Sequence, residues 1–469
     1  MGAQIVTAGS AGWKDKTVCV AGLGISGRAA ARVLAGRGAR VIGVDGRAEI
    51  EGAAELAALG VTLRLGDSQT LPPGTELVVI SPGWRPGTPL PAAAAAAGIE
   101  VIGEVELAWR LRPVSPRTGE PAPWLALTGT NGKTTVVRML TCILRAAGHD
   151  AVAVGNVGTP IVEAVLESHD VFAVELSSYQ LHWSSSLAPY AATVLNVAPD
   201  HLDWHGSMDE YARAKGKIYG SGTVRVSNAD DPESLRLGGE SAIGFTLLSP
   251  VPGQFGIVDN LLVDRALVTD PVREATELAE LADVVPFAPH NVSNALAAAA
   301  LARAFGVQAE AVREGLRAFK PDPHRIAHVG RIDGVDYVDD SKATNPHAAA
   351  ASLGSYDRIV WIAGGLLKGA DVDELVRTSA GNLRAAVLLG RDRAQLAEAL
   401  RRHAPNVPVV EVAETDTKAM DLVVTEAARL ARHGDTVLLA PAGASMDMFA
   451  DYGARGDAFA AAVGRLPLQ

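Results

Sequence analysis

A lysine followed by two threonines, Lys133-Thr134-Thr135, stands directly after Thr128-Gly129-Thr130-Asn131-Gly132, and the apolar run Trp124-Leu125-Ala126-Leu127 leads into it. These residue types at this spacing suit a phosphate. Glycines let successive backbone N–H groups converge on an anion, and the helix expected to follow adds its positive N-terminal end. Lys133 can offset β/γ-phosphate charge, and the Thr134 hydroxyl can ligate Mg²⁺. The strict phosphate-loop pattern asks for glycine where this chain has Leu127, although strand, turn and helix signals are all in place. The plainer alternative is a glycine-rich β-to-α turn with an incidental lysine.

Other candidate groups follow along the chain. Val171-Phe172-Ala173-Val174-Glu175 reads as a strand ending in a carboxylate, where an acid that holds Mg²⁺ belongs beside a phosphate loop; capping of the next turn is the alternative. Asp200-His201-Leu202-Asp203-Trp204-His205 sets two histidines four apart among acids, superficially a zinc pattern. No glutamate follows His201, Pro199 starts the cluster as a loop, and hard oxygen donors favour Mg²⁺; incidental surface histidines are a further alternative. Tyr211 to Tyr219, with Arg213, Lys215 and Lys217, is helical in pattern and by spacing alone a solvated basic face. Nearer the C-terminus, three strand ends are polar: Asp339-Asp340-Ser341-Lys342-Ala343-Thr344-Asn345, Gly364 to Gly369 with Lys368, and Pro441 to Asp447 with Ser445. Each can be turn chemistry alone, but in open α/β sheets such turns face ligands, and two lysines with a serine suit an anionic substrate.

The N-terminal segment carries a full G-x-G-x-x-G, Gly22-Leu23-Gly24-Ile25-Ser26-Gly27, after the strand Thr17 to Ala21, and the next strand ends at Asp45. NAD binding is the obvious reading, yet the same turn serves any nucleotide diphosphate or none. A further strand, Leu77 to Ile80, runs into Ser81-Pro82-Gly83 at the same expected sheet edge.

The elements that must position these groups are those of an α/β protein. At 469 residues the chain exceeds one ordinary core, and about 150 residues per domain gives roughly three domains. Prolines keep Arg112 to Pro123 out of helix and sheet as a linker, and Lys320-Pro321-Asp322-Pro323 marks a second break. The expected domains are 1–112, 113–320 and 321–469. Strands are expected at Ala151 to Val154, Val171 to Glu175 and Ala192 to Val197 in the middle domain, and at Ile359 to Ala363, Ala385 to Leu389 and Thr436 to Ala440 in the last. Their alternation with helices implies parallel sheets. Pro250 to Glu280 reads as short strands and loops.

A net charge of −11 argues against a nucleic-acid surface. Cys19 and Cys142, the only cysteines, read as core thiols in a reducing compartment, with no disulfide expected. The N-terminus lacks a charged segment followed by an apolar run, and no stretch offers the roughly 18 apolar residues of a membrane span. A cytoplasmic protein is expected.

With these residues in order, the chain resembles the Mur ligases of peptidoglycan synthesis over nearly its whole length. The shared motifs are Thr128 to Thr135, Glu175, Asp200-His201, His290-Asn291 with Asn294, Pro323-His324-Arg325 and Asp340 to Asn345. The likeness to the D-glutamate-adding branch rests on Gly22 to Gly27, Glu175-Leu176-Ser177-Ser178-Tyr179-Gln180-Leu181, and Ala444-Ser445 with Asp447. The resemblance implies a Rossmann-like N-terminal domain for the UDP group, a central P-loop ATPase-type parallel-sheet domain, and a Rossmann-like C-terminal domain. It places Ile25, Ser26, Asp45, Arg47 and Gly83 on the UDP group, and Asn156 and His201 on the sugar-peptide part. Gly129, Thr130, Asn131, Gly132, Lys133, Thr134, Thr135, Asn291, Asn294, Arg325 and Asp340 are implied to serve ATP. Lys133, His201 and Lys215 are implied catalytic residues, and Thr134, Glu175, His201 and Lys215, the last carbamylated, serve two Mg²⁺ ions. Lys342, Thr344, Lys368, Ser445, Met446 and Tyr452 match the D-glutamate pocket, with Gly443 where cysteine is common and Tyr452 where phenylalanine is known.

The implied reaction is ATP-driven amide formation between D-glutamate and UDP-N-acetylmuramoyl-L-alanine through an acyl phosphate, with closure of the third domain bringing Arg325 and Asp340 to the nucleotide. A monomer is expected, with no nucleic-acid or membrane partner. Another Mur ligase or a folylpolyglutamate-synthetase-like ligase is the alternative, although the latter lacks a separate UDP domain; a P-loop switch or motor and a nicotinamide-dependent oxidoreductase are remoter.

Overall fold

The computed structural model describes residues 12–414 and 419–466; the outer ends of the expected terminal domains lie outside the described residues. Among the described residues, twenty strands form three sheets. The first contains β1 (Thr17–Ala21), β2 (Arg40–Asp45), β3 (Thr62–Leu65), β4 (Leu77–Ile80) and β5 (Glu100–Gly103), all parallel, in the order β3-β2-β1-β4-β5. Central β1 and β4 read as unbroken apolar runs because helices cover both faces. The G-x-G-x-x-G joins β1 to the helix Ile25–Gly36, and there Gly27 is obligatory, since a Cβ would lie 1.8 Å from the Gly22 carbonyl oxygen.

The second sheet holds β6 (Trp124–Thr128), β7 (Ala151–Gly155), β8 (Val171–Glu175), β9 (Ala191–Val194), β10 (Val224–Asn228), β11 (Ile243–Phe245), β12 (Gln254–Val258), β13 (Leu261–Asp264) and β14 (Thr276–Glu280). Its order is β14-β13-β12-β11-β10-β9-β6-β8-β7, parallel except where β13 runs against β12 and β14. β9 is shorter than the sequence reading: it stops at Val194, and the next residues bond to the last residue of β6 and to the loop after it. Leu195 N donates to Thr128 O at 2.8 Å and Asn196 O accepts from Thr130 N at 3.0 Å.

One apolar cluster runs through the first sheet and into the second by way of the helices Ile25–Gly36, Glu104–Leu111 and Ile161–Ala164. Two buried carboxylates fasten this junction. Glu104 accepts Val162 N at 2.8 Å, and burial pushes its carboxyl up to about 7; Glu106 accepts Ser185 N at 2.9 Å and Ser186 N at 3.1 Å. Cys19 is buried in β1, with its thiol pushed up by burial to about 12, while Cys142 is only partly buried rather than a full core residue; both are free thiols.

The third sheet comprises β15 (Ala327–Ile332), β16 (Val335–Asp339), β17 (Ile359–Gly364), β18 (Leu383–Leu389), β19 (Val409–Glu411) and β20 (Thr436–Ala442), in the order β15-β16-β20-β17-β18-β19. All pairs are parallel except the β15–β16 hairpin. Apolar clusters cover its two faces. The sequence pattern did not single out β15 or β19, edge strands whose residues are mostly half-buried or exposed and so lack an apolar run. The chain divides into two compact units. The first takes residues up to Val197, His201–Asp283 and Ser293–Phe319, with the first two sheets; the second takes Ala198–Asp200, Val284–Val292 and the chain from Lys320, with the third sheet.

Candidate active site

In the first unit the site forms at the C-terminal end of β6. The helix Lys133–Ala146 starts after Gly132, whose φ is +83°; a Cβ there would stand 2.4 Å from Asn294 Oδ1, so only glycine fits beneath that side chain. Lys133 folds back over the loop, its Nζ donating to the Gly129 and Thr130 carbonyls, each at 2.9 Å. Lys215 Nζ donates to the same Gly129 oxygen at 2.8 Å and lies 4.5 Å from the Tyr211 ring centre. Two ammonium groups thus meet at one carbonyl of the loop, an arrangement that an anionic ligand stabilises. Lys215 is 1% exposed, which overturns the solvated-face reading of Tyr211 to Tyr219: Tyr211, Ala212, Ala214 and Lys215 of the helix Met208–Gly216 are buried, and Thr130 Oγ1 meets Tyr211 Oη at 3.1 Å.

Glu175 ends β8 beside β6, paired with Leu127 one residue before the loop begins. Its Oε1 accepts from Asn156 Nδ2 at 2.9 Å, whereas its Oε2 is buried without a hydrogen-bond partner. Glu175 does not cap the following turn; Ser177 does, accepting from Gln180 N at 3.2 Å. A buried carboxylate oxygen with no donor suits a cation, so Glu175 fits a hard divalent ion such as Mg²⁺.

His201 has φ +54° and precedes the short helix Leu202–His205. Its ring packs on Tyr179 at 4.9 Å, and His205 stacks on Tyr179 at 5.7 Å while its Nε2 pairs with Ser178 Oγ at 2.9 Å. Burial, helped by His182, pushes the His205 imidazole down to about 4, so it is neutral at physiological pH. The same segment is tied to the first sheet: Trp204 Nε1 donates to Gly83 O at 3.2 Å, and Arg85 pairs with Asp203 at 2.8 Å.

Around the first sheet's glycine turn, Ile25 is exposed at the start of its helix. Asp45 accepts Leu23 N at 2.7 Å and Arg47 N at 2.9 Å, and the Arg47 guanidinium grips both its oxygens, which holds its carboxyl near 2. The Asp45 carboxylate therefore shapes the turn, and Arg47 stands more than half exposed beside it. Ser26 lies in the same helix turn as Ile25.

The second unit carries the other candidates. Asn291 Nδ2 donates to Pro286 O at 3.0 Å. The neighbouring His290 is pushed down to about 4 by burial and by Arg325. Asp340 accepts Ile326 N at 3.4 Å and the Ser352 hydroxyl, and burial raises its carboxyl to about 6 against the pull of Ser352 and Arg325. Lys342 Nζ lies 3.7 Å over the Tyr452 ring, and Thr344 N donates to Lys342 O at 2.8 Å. Ser445 is buried, Met446 exposed, and Lys368 has φ +54° in the turn after β17. The turns after β16, β17 and β20 thus gather the lysines, Thr344 and Ser445 at one edge of the sheet. Sequence reasoning missed Asn196, whose Oδ1 accepts from Asn131 N at 2.9 Å, and Arg455, buried in the helix Tyr452–Gly464. Asn196 was readable as a polar residue two positions past the buried strand β9; Arg455 left no local signal.

Three family descriptions match: a MurD-like N-terminal domain over residues 16–103, a Mur ligase middle domain over 127–302, and a Mur ligase glutamate ligase domain over 324–443. Among curated proteins, the UDP-N-acetylmuramoylalanine–D-glutamate ligase of Thermobifida fusca is 62% identical over 460 residues, covering 95% of this chain and 98% of that one. The chain belongs to the Mur ligase family. A Mur ligase of the same description from Streptomyces avermitilis is also 62% identical, over 96% of this chain and 98% of its own. The fold has the three-domain Mur ligase architecture. UDP-N-acetylmuramate-alanine ligase from Thermotoga maritima matches it with a TM-score of 0.56 at 19% identity, covering 96% of this chain and 99% of that one. A pseudomurein peptide ligase type C from Methanothermus fervidus matches with the same TM-score, over 91% and 97%.

Proposed function

We propose that this Mur ligase joins D-glutamate to UDP-N-acetylmuramoyl-L-alanine at the expense of ATP, in the making of peptidoglycan precursors. The substrates follow from the likeness to the D-glutamate ligases over nearly the full length. The reaction class is carried by one observation: Lys133 and Lys215 converge on the Gly129 carbonyl of a glycine loop beside the open Oε2 of Glu175. That set can accept a polyphosphate at Lys133 and, once Lys215 carries a carbamate, a divalent cation between it and Glu175.

In this reading the carboxylate of the L-alanyl group attacks the γ-phosphorus and ADP departs, leaving an acyl phosphate. The D-glutamate nitrogen then attacks the acyl carbon, the carbon–oxygen bond to phosphate breaks, and the nitrogen loses a proton as the amide forms. Lys133 swings from its two carbonyl contacts to the β/γ-phosphates, and the loop Gly129, Thr130, Asn131 and Gly132, with Thr134 and Thr135 behind it, holds them. Mg²⁺, as two ions, would offset the charge on the phosphoryl oxygens when bound. Thr134, Glu175, His201 and a carbamylated Lys215 would hold it, carbamylation turning an ammonium into an oxygen donor. Asn291, Asn294, Arg325 and Asp340 serve the nucleotide; Ile25, Ser26, Asp45, Arg47, Gly83 and Asn156 serve the UDP substrate; Lys342, Thr344, Lys368, Ser445, Met446 and Tyr452 serve D-glutamate. The enzyme acts as a cytoplasmic monomer. Among the described residues, no helix is long and apolar enough to cross a membrane.

The test is phosphate release by the purified chain with ATP, Mg²⁺ and UDP-N-acetylmuramoyl-L-alanine, on adding D-glutamate. Mass spectrometry should find the dipeptidyl product. Phosphate release that ignores the amino acid would instead mark a nucleotide-hydrolysing switch.

A further inference from the structure

The helix Tyr452–Gly464 buries a guanidinium that the reading above leaves unused. Arg455, in its first turn, is 1% exposed. Its Nε donates to Ser341 Oγ at 2.9 Å, its Nη2 to Ser341 O at 2.9 Å, and its Nη1 to Gly443 O at 3.0 Å. One planar fork therefore spans the turn after β16 and the turn after β20, whose strands are neighbours in the sheet. The Ser341 hydroxyl passes the contact on, donating to Tyr452 O at 2.7 Å. The turn after β17 is fastened to the same frame: Leu366 and Ala444 exchange backbone hydrogen bonds of 2.8 and 2.9 Å. A Cβ on Gly365 would lie 2.2 Å from Ala444 O and 3.3 Å from Arg455 Nη1.

This placement is physically unfavourable on two counts. Arg455 hydrogen-bonds a hydroxyl and two main-chain carbonyls rather than a carboxylate, so its desolvation is not offset by a direct ion pair. It also sits at a helix N-terminus, where the backbone dipole disfavours a cation. Burial lowers its pKa to about 10, with Asp447 and Asp339 opposing. Neutral side chains would join two turns at lower cost, but none offers five donors in one rigid plane.

We propose that Arg455 is a positioning residue for the amino-acid substrate: it clamps the turns that carry Lys342 and Thr344 on one side and Ser445 on the other, with Tyr452 from its own helix, so that these groups meet the substrate's carboxylates preformed. The proposal rests on the D-glutamate pocket reading given above. Arg455 itself touches none of the reacting atoms; it acts through Ser341 and Gly443.

The test measures KM for D-glutamate, ATP and UDP-N-acetylmuramoyl-L-alanine, with kcat and Tm, in the full-length Arg455→Lys variant. A lysine keeps the charge but reaches one turn only. KM for D-glutamate should rise about tenfold, as for loss of one well-placed charged hydrogen bond, with the other two KM values within about twofold of wild type. Ser341→Ala, which removes only the shared hydroxyl, should shift the same KM by about threefold, and it decides the matter should Arg455→Lys fail to fold. A folded Arg455→Lys with unchanged D-glutamate KM, an equal rise in all three KM values, or a Ser341→Ala that lowers Tm alone would overturn the proposal. Lys368→Ala separates the two layers of the argument. If it raises D-glutamate KM while the Arg455 and Ser341 variants do not, the clamp is wrong and the pocket stands; if it too leaves that KM unchanged, the pocket reading itself is wrong.

Discussion

The phosphate loop of the first unit and the polar turns of the second both bury cations against main-chain oxygens, yet they use the charge in opposite ways. At the loop, the Lys133 and Lys215 nitrogens meet at Gly129 O, and the nearby strand-end acid, Glu175, keeps one buried oxygen without a donor. At the turns, Arg455 is a fixed plane with its hydrogen bonds spent on Ser341 and Gly443, and the strand-end acid, Asp340, has Ile326 on one oxygen and Ser352 on the other. The first region holds charge ready for a ligand. The second spends buried charge on the shape of the backbone, and leaves recognition to side chains such as Lys342 and Lys368 near the surface of the turns.

That contrast can be broken most forcefully at Lys133. Lys133→Ala should lower ligation by about a thousandfold, because a charge aimed at the transferring phosphoryl group is worth several kcal/mol. Near-normal phosphate release from this variant would remove the loop's half of the comparison. Lys215→Ala should lose about a hundredfold, and acetate or formate should restore part of the rate in a saturable way by standing where a carbamate oxygen would. Lys217→Ala is the control: Lys217 Nζ donates to His182 O at 2.6 Å, away from the loop, and its variant should show no such rescue. Equal loss and equal rescue in both variants would return Lys215 to a purely structural role.

The smallest effect concerns Asp340 and stability. Its carboxyl is raised from 3.8 to about 6 by burial, so the folded state binds a proton more tightly than the unfolded chain does. Stability from this group is therefore present below about pH 4 and is lost as pH rises through about 6. Asp340→Asn, which cannot ionise but can still accept from Ser352, should melt a few degrees higher relative to wild type at pH 7 than at pH 4.5. A difference in Tm that stays flat between these pH values would show that the folded state does not hold the Asp340 proton more tightly than the unfolded chain does.

How much of this was legible in the sequence depended on how local the signal was. The phosphate loop is a run of consecutive residues between a buried strand and a helix, so its place in the fold was readable residue by residue. The parallel strands that support it were equally plain as apolar runs. Lys215 was not readable from local pattern: Arg213, Lys215 and Lys217 look alike as a charged run, and only the packing of Tyr211 and Lys215 beneath Gly129 and Thr130 shows that Lys215 turns inward while Arg213 and Lys217 stay exposed. Asp45 was readable as the acid ending the strand after the glycine turn, but its position could not reveal that Arg47 and the Leu23 amide occupy its oxygens. The amino-acid turns lie about a hundred residues apart in the chain at their extremes, and Arg455, in an alanine- and glycine-rich helix start, carries no motif that points to them.

The central claim, that the charged loop serves ligation of an acidic D-amino acid, is tested most directly by amide product formation with ATP, Mg²⁺ and UDP-N-acetylmuramoyl-L-alanine, comparing D-glutamate with L-glutamate. The account predicts product and stoichiometric phosphate with D-glutamate and little of either with L-glutamate. Equal product from both enantiomers, or phosphate without product, would contradict it.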